Sequence, residues 1–260
     1  MKTIILCGGL GYRLKEETEF KPKPMVLIGN KPILWHIMKI YAHYGYNEFI
    51  IALGYKGDSI KEYFLNQKYF LNDFTLHTKS GITKIHKEGT IKLDDFIITF
   101  VDTGQETFPG ERILRCKEYI PAKDTSFMVT YGDGVSDINL KKLVAFHEKH
   151  KKIGTITGVH PLSKYGYLRV SPNNEVTSFI EKPTLRGDWV NGGFMVFQKE
   201  FFFYLRSGEM EHEGIKRIIA KKELTIFPYD GFWHAMDTYV DVQRLNRLWE
   251  EGPEWKVWRE

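Results

Sequence analysis

The chain has 260 residues, 42% of them hydrophobic and 27% charged, and its net charge of +4 predicts neither a disordered polyelectrolyte nor a nucleic-acid-binding surface. Its two cysteines, Cys7 and Cys116, are far apart, which excludes a disulfide-rich secreted domain and a Cys-x-x-Cys zinc or redox site. No apolar run approaches the ~18 residues of a membrane span, and a strand pattern begins at Thr3 with no signal peptide before it, so we expect a cytoplasmic protein with no membrane partner.

Up to residue 160, apolar runs that predict strands alternate with segments of helical spacing. The predicted strands are 3–7, 49–53, 96–101, 127–131 and 155–159. The predicted helices are 32–44 with Asn30 as its cap, 58–64 with Asp58 as its cap, 112–119 and 140–150. Strands that alternate with helices form βαβ units, so we predict an α/β fold with a mostly parallel sheet.

Beyond residue 160 the pattern changes to short strands separated by turns, at 167–170, 176–180 and 193–197, which is typical of an α+β part. Segment 66–95 fits neither pattern and is interpreted as an insertion or a hairpin. Because no internal repeat or low-complexity linker separates the two halves, we predict that they share one core.

The end of the first predicted strand carries the sequence Gly-Gly-Leu-Gly at residues 8–11, followed by Arg13. Ligands of parallel sheets bind beyond such strand ends, glycines let the backbone approach a ligand closely, and a guanidinium suits a phosphate. The alternative is a tight turn with a solvated arginine. Leu14 stands at the third glycine position and no Gly-Lys-Ser/Thr follows, which excludes the dinucleotide fingerprint and the P-loop.

Lysines and prolines alternate at residues 21–24. Since proline fixes φ and removes a donor, this pattern predicts a stiff extended segment that holds at least one lysine in place. Asp133 stands between two glycines at a predicted strand end, and Asp237 follows an aromatic segment. One or two carboxylates plus substrate phosphates often hold Mg²⁺. The alternatives are an Asp-Gly turn at residue 133 and a helix N-cap at residue 237.

Short motifs then follow one another in a specific order between residues 4 and 238: GGLGYRL, KPKPM, GNKPILWHIMK, GYKGDSIKEYF, VDTG, TYGDG, KYGYL, EKP, NGGF, GFW and MDT. In this order they resemble the sugar nucleotidyltransferase superfamily and, within it, the glucose-1-phosphate cytidylyltransferases, over nearly the whole chain. The resemblance implies a Rossmann-like nucleotidyltransferase fold with a mostly parallel mixed sheet. It also implies a single domain, 1–260, with a nucleotide-binding part to about residue 150 and a smaller α+β part for sugar binding and oligomerisation.

The same resemblance implies that CTP and α-D-glucose 1-phosphate give CDP-glucose and pyrophosphate, with Mg²⁺ as cofactor, in a homo-oligomer that serves surface polysaccharide synthesis. The residues implied to be catalytic are Arg13, Lys23 and Lys182. Those implied to bind the nucleotide are Leu6, Cys7, Gly8, Gly9, Leu10, Gly11, Tyr12, Arg13, Lys23, Thr107, Arg112 and Gly132. Those implied to bind the sugar phosphate are Tyr165, Gly166, Glu181, Lys182, Asn191 and Gly192, and the implied metal ligands are Asp133 and Asp237.

Several residues depart from the family pattern. Tyr12 replaces the usual Thr, His234-Ala235 replaces Gln-Pro, Tyr239-Val240 replaces Leu-Arg, and Gly214-Ile215 replaces Pro-Leu. We expect several of these departures to lie near the sugar side, which keeps a different sugar phosphate or a small non-sugar phosphate as an alternative acceptor.

Two further alternatives belong to other classes. A non-catalytic nucleotide-sensing homologue should have lost Lys23 or one of the paired aspartates, and all three are present. A nicotinamide-dependent oxidoreductase is disfavoured because the third glycine of its fingerprint is missing.

Overall fold

The computed structural model of the chain describes residues 1–11, 14–86, 94–163, 165–205 and 210–259. Within these ranges the strands are β1 (Thr3–Cys7), β2 (Leu27–Ile28), β3 (Lys31–Pro32), β4 (Glu48–Leu53), β5 (Phe74–His77), β6 (Ile82–Ile85), β7 (Ile97–Asp102), β8 (Ser126–Tyr131), β9 (Gly134–Ser136), β10 (Gly154–Val159), β11 (Tyr167–Val170), β12 (Val176–Ile180), β13 (Val190–Gln198), β14 (Leu224–Tyr229) and β15 (Trp233–Ala235). The helices are α1 (Lys15–Thr18), α2 (Ile33–His43), α3 (Gly57–Phe70), α4 (Pro109–Arg115), α5 (Leu140–His150), α6 (Lys216–Ala220) and α7 (Tyr239–Glu251). Short 3₁₀ turns cover Lys23–Met25, Lys117–Tyr119 and Lys199–Phe203, and a π-helical turn covers Met210–Ile215.

Seven of these strands form one mixed sheet in the order β14-β10-β13-β8-β1-β4-β7. Four neighbouring strands are parallel to one another: β8, β1, β4 and β7. Strand β13 is antiparallel to both of its neighbours, β8 and β10, and β14 is parallel to β10. The register pairs Cys7 with Leu53, Leu53 with Asp102, and Leu6 with Tyr131. The predicted α/β fold with a mostly parallel mixed sheet is confirmed. Because β8, β1, β4 and β7 are parallel, their carboxyl ends lie side by side along the same edge of the sheet.

Strand β1 is buried on both faces of the sheet. Successive side chains of a strand point to opposite faces, so its neighbouring residues enter two different buried clusters. Ile5 belongs to a buried cluster with Met38 of α2 and Trp255 near the end of the chain. Ile4 belongs to a second buried cluster with Ile113 of α4. Burial of each such side chain stabilises the fold by about 1.5–3 kcal/mol. Helices α2 and α4 therefore hold the sheet edge in position from its two sides.

Three of the helices differ from their predicted caps or bounds. Helix α2 begins after Pro32, whose extended backbone stands at the N-cap, so Asn30 is not its cap. Helix α3 follows Lys56 in a left-handed conformation and extends to residue 70, with Asp58 in its first turn instead of at the cap. The predicted helix 112–119 is divided into α4 and a 3₁₀ turn. In the described ranges, no helix has the combination of length and apolar character that crossing a membrane requires.

Three of the strands, β5, β6 and β14, lie in segments where the sequence pattern was weak. The segment 66–95 contains the end of α3 and the surface hairpin β5–β6, which confirms the hairpin interpretation, while residues 87–93 lie outside the described residues. Strand β14 was not predicted because Pro228 interrupts its apolar run. It lies at the edge of the sheet, where the missing N–H of a proline is tolerated.

Candidate active site

A cleft of about 490 Å³ opens at the edge where β1, β4, β7 and β8 end. Its walls are the glycine-rich segment after β1, residues 105–109 after β7, and residues 131–133 after β8. The cleft is lined by these predicted site residues: Leu6, Cys7, Gly8, Gly9, Leu10, Gly11, Lys23, Thr107, Arg112, Gly132, Asp133 and Asp237. The structure thus brings the predicted nucleotide and metal residues together, except Tyr12 and Arg13, which lie outside the described residues.

The guanidinium of Arg112 joins three of the strand-end loops. It donates hydrogen bonds of 3.0 Å to the Gly8 carbonyl oxygen after β1 and 3.0 Å to the Leu53 carbonyl oxygen at the end of β4. After β7 it donates to the carbonyl oxygens of Gly104 at 2.7 Å and Gln105 at 3.0 Å, and to the Thr103 hydroxyl at 2.6 Å. Arg112 is only 4% exposed, and burial lowers its pKa from the ordinary value.

Two glycines leave the space that the Arg112 side chain occupies. A Cβ atom on Gly8 would lie 2.1 Å from Arg112 Nη1, and one on Gly54 would lie 2.6 Å from the same atom. Gly9, by contrast, has open space where its Cβ would be. Residue 8 must therefore be glycine to leave room for the buried guanidinium of Arg112. The sequence pattern alone did not reveal this role.

Lys23 lies between the two predicted metal ligands. Its Nζ donates to Asp133 Oδ2 at 2.7 Å and to Asp237 Oδ1 at 2.8 Å. Burial alone would lower the pKa of Lys23, but the two carboxylates outweigh it and raise that pKa above the ordinary value. The expectation that the lysine–proline segment holds one lysine in place is confirmed for Lys23.

The prediction that residues 21–24 form an extended segment is correct only in part. Pro22 is extended, but Lys23–Met25 forms a 3₁₀ turn. In that turn Pro24 is buried against Gly132, where a Cβ would lie 2.9 Å from Pro24 Cγ. The second lysine of the segment, Lys21, is paired with Glu17 at 3.0 Å and does not line the cleft.

A short antiparallel ladder brings together the two aspartates, which are distant in the sequence. Strand β9 pairs with β15 so that Gly134 lies opposite Ala235. The N–H of Met236 then donates to the Asp133 carbonyl oxygen at 2.8 Å. This pairing places Asp133 and Asp237 close enough for both to contact the Nζ of Lys23.

A residue that the sequence analysis missed orders the loop of Asp237. The Asp241 carboxylate accepts hydrogen bonds from the N–H of Asp237 at 3.0 Å and of Thr238 at 2.7 Å, and it lies 3.2 Å from His234 Nε2. Thr238, not Asp237, is the N-cap of α7, in a capping box with Asp241. The Thr-x-x-Asp spacing at 238–241 was the signal that could have identified it.

Hydrogen bonding lowers the pKa of Asp241. Burial by itself would raise that pKa, but the nearby imidazole of His234 and the hydrogen bonds from Thr238 outweigh burial and hold it at about 2. His234, one of the departures from the family pattern, thus lies beside the Asp237 loop and contacts its capping carboxylate.

The carboxylate pair fits a hard divalent cation. Both carboxylates converge on one cation, the Lys23 ammonium, so they already face a common position for positive charge. The described residues contain no group of three or more His, Cys, Asp or Glu side chains that could hold a metal by themselves. Two carboxylates completed by substrate phosphates is an arrangement typical of Mg²⁺.

The predicted sugar-phosphate residues do not line the cleft. Tyr165, Gly166, Glu181 and Lys182 lie on or beside the hairpin β11–β12, where Lys182 Nζ is 4.0 Å from Glu181 Oε1. Lys182 is in a left-handed conformation, with φ of 44°. Asn191 is connected to the cleft because its Nδ2 donates to the hydroxyl of Tyr131, a lining residue, at 3.2 Å. Gly192 accepts from Trp233 Nε1 at 2.7 Å.

Comparison with known proteins decides the family. The family model for nucleotidyl transferases matches residues 2–250. The chain belongs to the nucleotidyl transferase family. This confirms the resemblance seen in the ordered motifs, and the enzyme class that follows from it.

Individual relatives support the same assignment for this nucleotidyl transferase. It is 43% identical over 99% of its length to the whole of the probable glucose-1-phosphate cytidylyltransferase of Bacillus subtilis (strain 168). It is 42% identical, again over 99% of its length and all of the relative's, to the glucose-1-phosphate cytidylyltransferase of Salmonella typhi.

Solved structures share the fold of this nucleotidyl transferase. HddC from Yersinia pseudotuberculosis complexed with GMP-PN matches with a TM-score of 0.66 at 21% identity, over 95% of this chain and 99% of that one. UDP-glucose pyrophosphorylase complexed with UDP-glucose matches with a TM-score of 0.67 at 17% identity, over 96% of this chain and 98% of that one. At these identities the likeness concerns the fold alone.

Substitution at neighbouring glycines tests the internal role of Arg112. We expect Gly8→Ala to lower the free energy of unfolding by about 1–3 kcal/mol, because the new Cβ overlaps the guanidinium. Gly9→Ala, the matched control, should change it by less than about 1 kcal/mol, since its Cβ meets open space. Urea unfolding of both variants provides the measurement, and equal losses would contradict the account.

The free energy of unfolding at acidic pH tests the role of Asp241 as a capping residue. The folded pKa of about 2 lies below the ordinary value of 3.8, so the stabilisation is present above pH 3.8 and is lost as the pH falls towards 2. Asp241→Asn should therefore unfold more easily at pH 7, by on the order of 2 kcal/mol, and its deficit should shrink as the pH falls from about 4 to about 2.

The matched control is Asp58→Asn in the first turn of α3, where the carboxylate is exposed and the loss should stay below about 0.5 kcal/mol. Urea unfolding at several pH values gives both numbers. A deficit of Asp241→Asn that does not change with pH would rule out the charged cap.

Proposed function

We propose that this nucleotidyl transferase makes CDP-glucose and pyrophosphate from CTP and α-D-glucose 1-phosphate. The observation that carries the proposal is full-length identity of 42–43% to relatives named for this activity. The cleft at the strand ends supports it, since the relatives' reaction needs a site for a triphosphate beside a site for a sugar phosphate.

The reaction that we propose needs positioning and charge neutralisation rather than a general base. An oxygen of the sugar phosphate, already ionised, attacks the α-phosphorus of CTP in line. The bond from the α-phosphorus to the bridging oxygen breaks, and pyrophosphate leaves with those electrons. Catalysis of such a transfer between two polyanions comes mainly from orientation and electrostatic stabilisation.

We propose the following roles for the residues of the cleft. The backbone of the glycine-rich segment 8–11 cradles the triphosphate, with Lys23 and Arg13 neutralising it. Asp133 and Asp237 hold Mg²⁺, which supplies charge neutralisation at the phosphates when bound. Arg112 shapes the cleft through the three loops that it joins.

We propose that the hairpin β11–β12 and Asn191 bind the acceptor, the sugar phosphate. Lys182 is exposed at the end of β12, so its ammonium is available to meet a phosphate that enters between hairpin and cleft. Asn191 contacts Tyr131, which connects the acceptor side with the nucleotide side.

A different phosphorylated acceptor is the second candidate. The family departure at residues 239–240 favours it. Residues 214–215 and His234 give it no support, because Gly214 and Ile215 are buried in the core and His234 lies beside the Asp237 loop.

We also propose that the enzyme is a homo-oligomer assembled through the hairpin β11–β12. A two-stranded hairpin is marginally stable by itself, and exposed apolar patches commonly mark interfaces. The hairpin exposes an unusual set of apolar side chains: Tyr167, Leu168, Val170, Val176, Phe179 and Ile180.

A substrate panel tests the proposed reaction. Pyrophosphate release with Mg²⁺ should be fast with CTP and glucose 1-phosphate, and slow when UTP or dTTP replaces CTP or another sugar phosphate replaces glucose 1-phosphate. Asp133→Asn should reduce the rate by roughly 10²–10³-fold, the scale of a lost transition-state charge contact. Activity only with UTP or dTTP would overturn the base assignment, and activity only with another acceptor would favour the second candidate.

Light scattering coupled to gel filtration tests the oligomer. The wild type should elute at a multiple of 30.5 kDa, and Val176→Glu should shift it towards the single chain. Leu65→Glu is the matched control, since Leu65 is at least as exposed as Val176 but lies on α3, and it should leave the mass unchanged. A wild-type protein of 30.5 kDa at micromolar concentration would contradict the proposal.

A further inference from the structure

The position of the Lys23 ammonium has a consequence for the order in which ligands bind. Its Nζ lies within 2.8 Å of one oxygen of Asp133 and one of Asp237, and the side chain is only 14% exposed. The ammonium therefore fills the space towards which both carboxylates point. In this state the three groups together carry a net charge of −1, whereas the two carboxylates without the lysine would carry −2.

A divalent cation and the ammonium cannot share that space. Magnesium binds carboxylate oxygens at about 2.0–2.1 Å, so an ion bridging the same two oxygens would overlap the present position of Nζ. Two positive charges a few ångströms apart in a partly buried site also repel each other strongly. Binding of the cation thus requires that the Lys23 side chain leaves the carboxylates.

The backbone around Lys23 is fixed by contacts that do not involve its ammonium group. Pro22 and Pro24 flank the residue, and Pro24 packs against Gly132 beside Asp133. The long side chain of lysine can therefore rotate to another anion while the main chain stays in place. The cleft itself supplies the site for such an anion, since Lys23 lines it together with the glycine-rich segment.

We infer that Lys23 occupies the metal position of the nucleotide-free protein, so that the divalent cation binds well only when the phosphates of the nucleotide draw Lys23 away. This inference rests on the proposed function for one assignment, that of Asp133 and Asp237 as the metal ligands. In this arrangement one lysine holds the carboxylate pair in order before binding and neutralises phosphate afterwards. Metal and nucleotide consequently enter together.

Binding of Mn²⁺ alone, with no nucleotide present, tests the inference. The free Mn²⁺ signal in electron paramagnetic resonance gives the affinity of each protein. Lys23→Met should bind Mn²⁺ roughly tenfold or more tightly than the wild type, because a competing positive charge is gone. Lys21→Met, which removes the other lysine of the segment from its pair with Glu17, should bind like the wild type.

Two further variants locate the effect and guard against misfolding. The gain in Lys23→Met should disappear when Asp133→Asn is added, because the cation then loses one of its ligands. Lys23→Gln keeps a group that can hydrogen-bond both carboxylates and should show the same direction of change, with folding of every variant checked by thermal unfolding.

The outcomes separate this inference from the proposed function. Equal Mn²⁺ affinity in the wild type, Lys23→Met and Lys23→Gln overturns the inference even if CTP and glucose 1-phosphate are the substrates. Tighter binding in the two Lys23 variants supports it even if the substrate panel favours another nucleotide or acceptor, because the measurement contains neither.

Discussion

The shape of the cleft depends on one buried guanidinium. Arg112 donates to carbonyl oxygens at the ends of β1 and β4 and in the loop after β7, so three loops that are remote in sequence have a common partner. A buried guanidinium without such acceptors would cost several kcal/mol, and a loop that moved away would leave it unsatisfied. The lack of side chains at Gly8 and Gly54 follows from the same constraint, because any Cβ there would overlap the guanidinium. The walls of the cleft are thus held by contacts within the protein itself.

The charged groups of the site follow a shared principle. Arg112 is satisfied by carbonyl oxygens and Lys23 by two carboxylates, so the two described cations that line the cleft already have internal partners. The fold thereby avoids buried charges without partners, which would be costly. For Lys23 the internal partners are also the proposed metal ligands, so binding of a nucleotide with its cation exchanges one set of ion pairs for another. Asp241 supports that exchange by holding the backbone of the Asp237 loop in place.

The sequence predicted those parts of the molecule whose signal is local. Strands β1, β11 and β12 and helix α5 have the predicted bounds, because buried apolar runs and amphipathic spacing are written in consecutive residues. Strand β14 was missed because Pro228 breaks its run, and Thr238 was missed as a cap because Asp237 beside it is an equally good capping residue by type. The ordered motifs predicted the glycine-rich segment, Lys23 and the two aspartates that gather in the cleft, whereas the sugar-phosphate residues that they also predicted do not line it. They could not predict that Arg112 bonds to main-chain oxygens, since carbonyl groups carry no residue signature, nor that β9 and β15 pair to bring Asp133 and Asp237 together.

The central claim is that the strand-end cleft holds a triphosphate and that the two aspartates hold its cation once Lys23 has left them. A crystal structure with Mn²⁺ and a non-hydrolysable CTP analogue tests this most directly, because manganese is located by its anomalous scattering. The account predicts an anomalous peak between Asp133 and Asp237, phosphates along residues 8–11, and the Nζ of Lys23 bonded to phosphate instead of carboxylate. Nucleotide bound away from residues 8–11, or manganese bound while Lys23 still bridges both carboxylates, would contradict it.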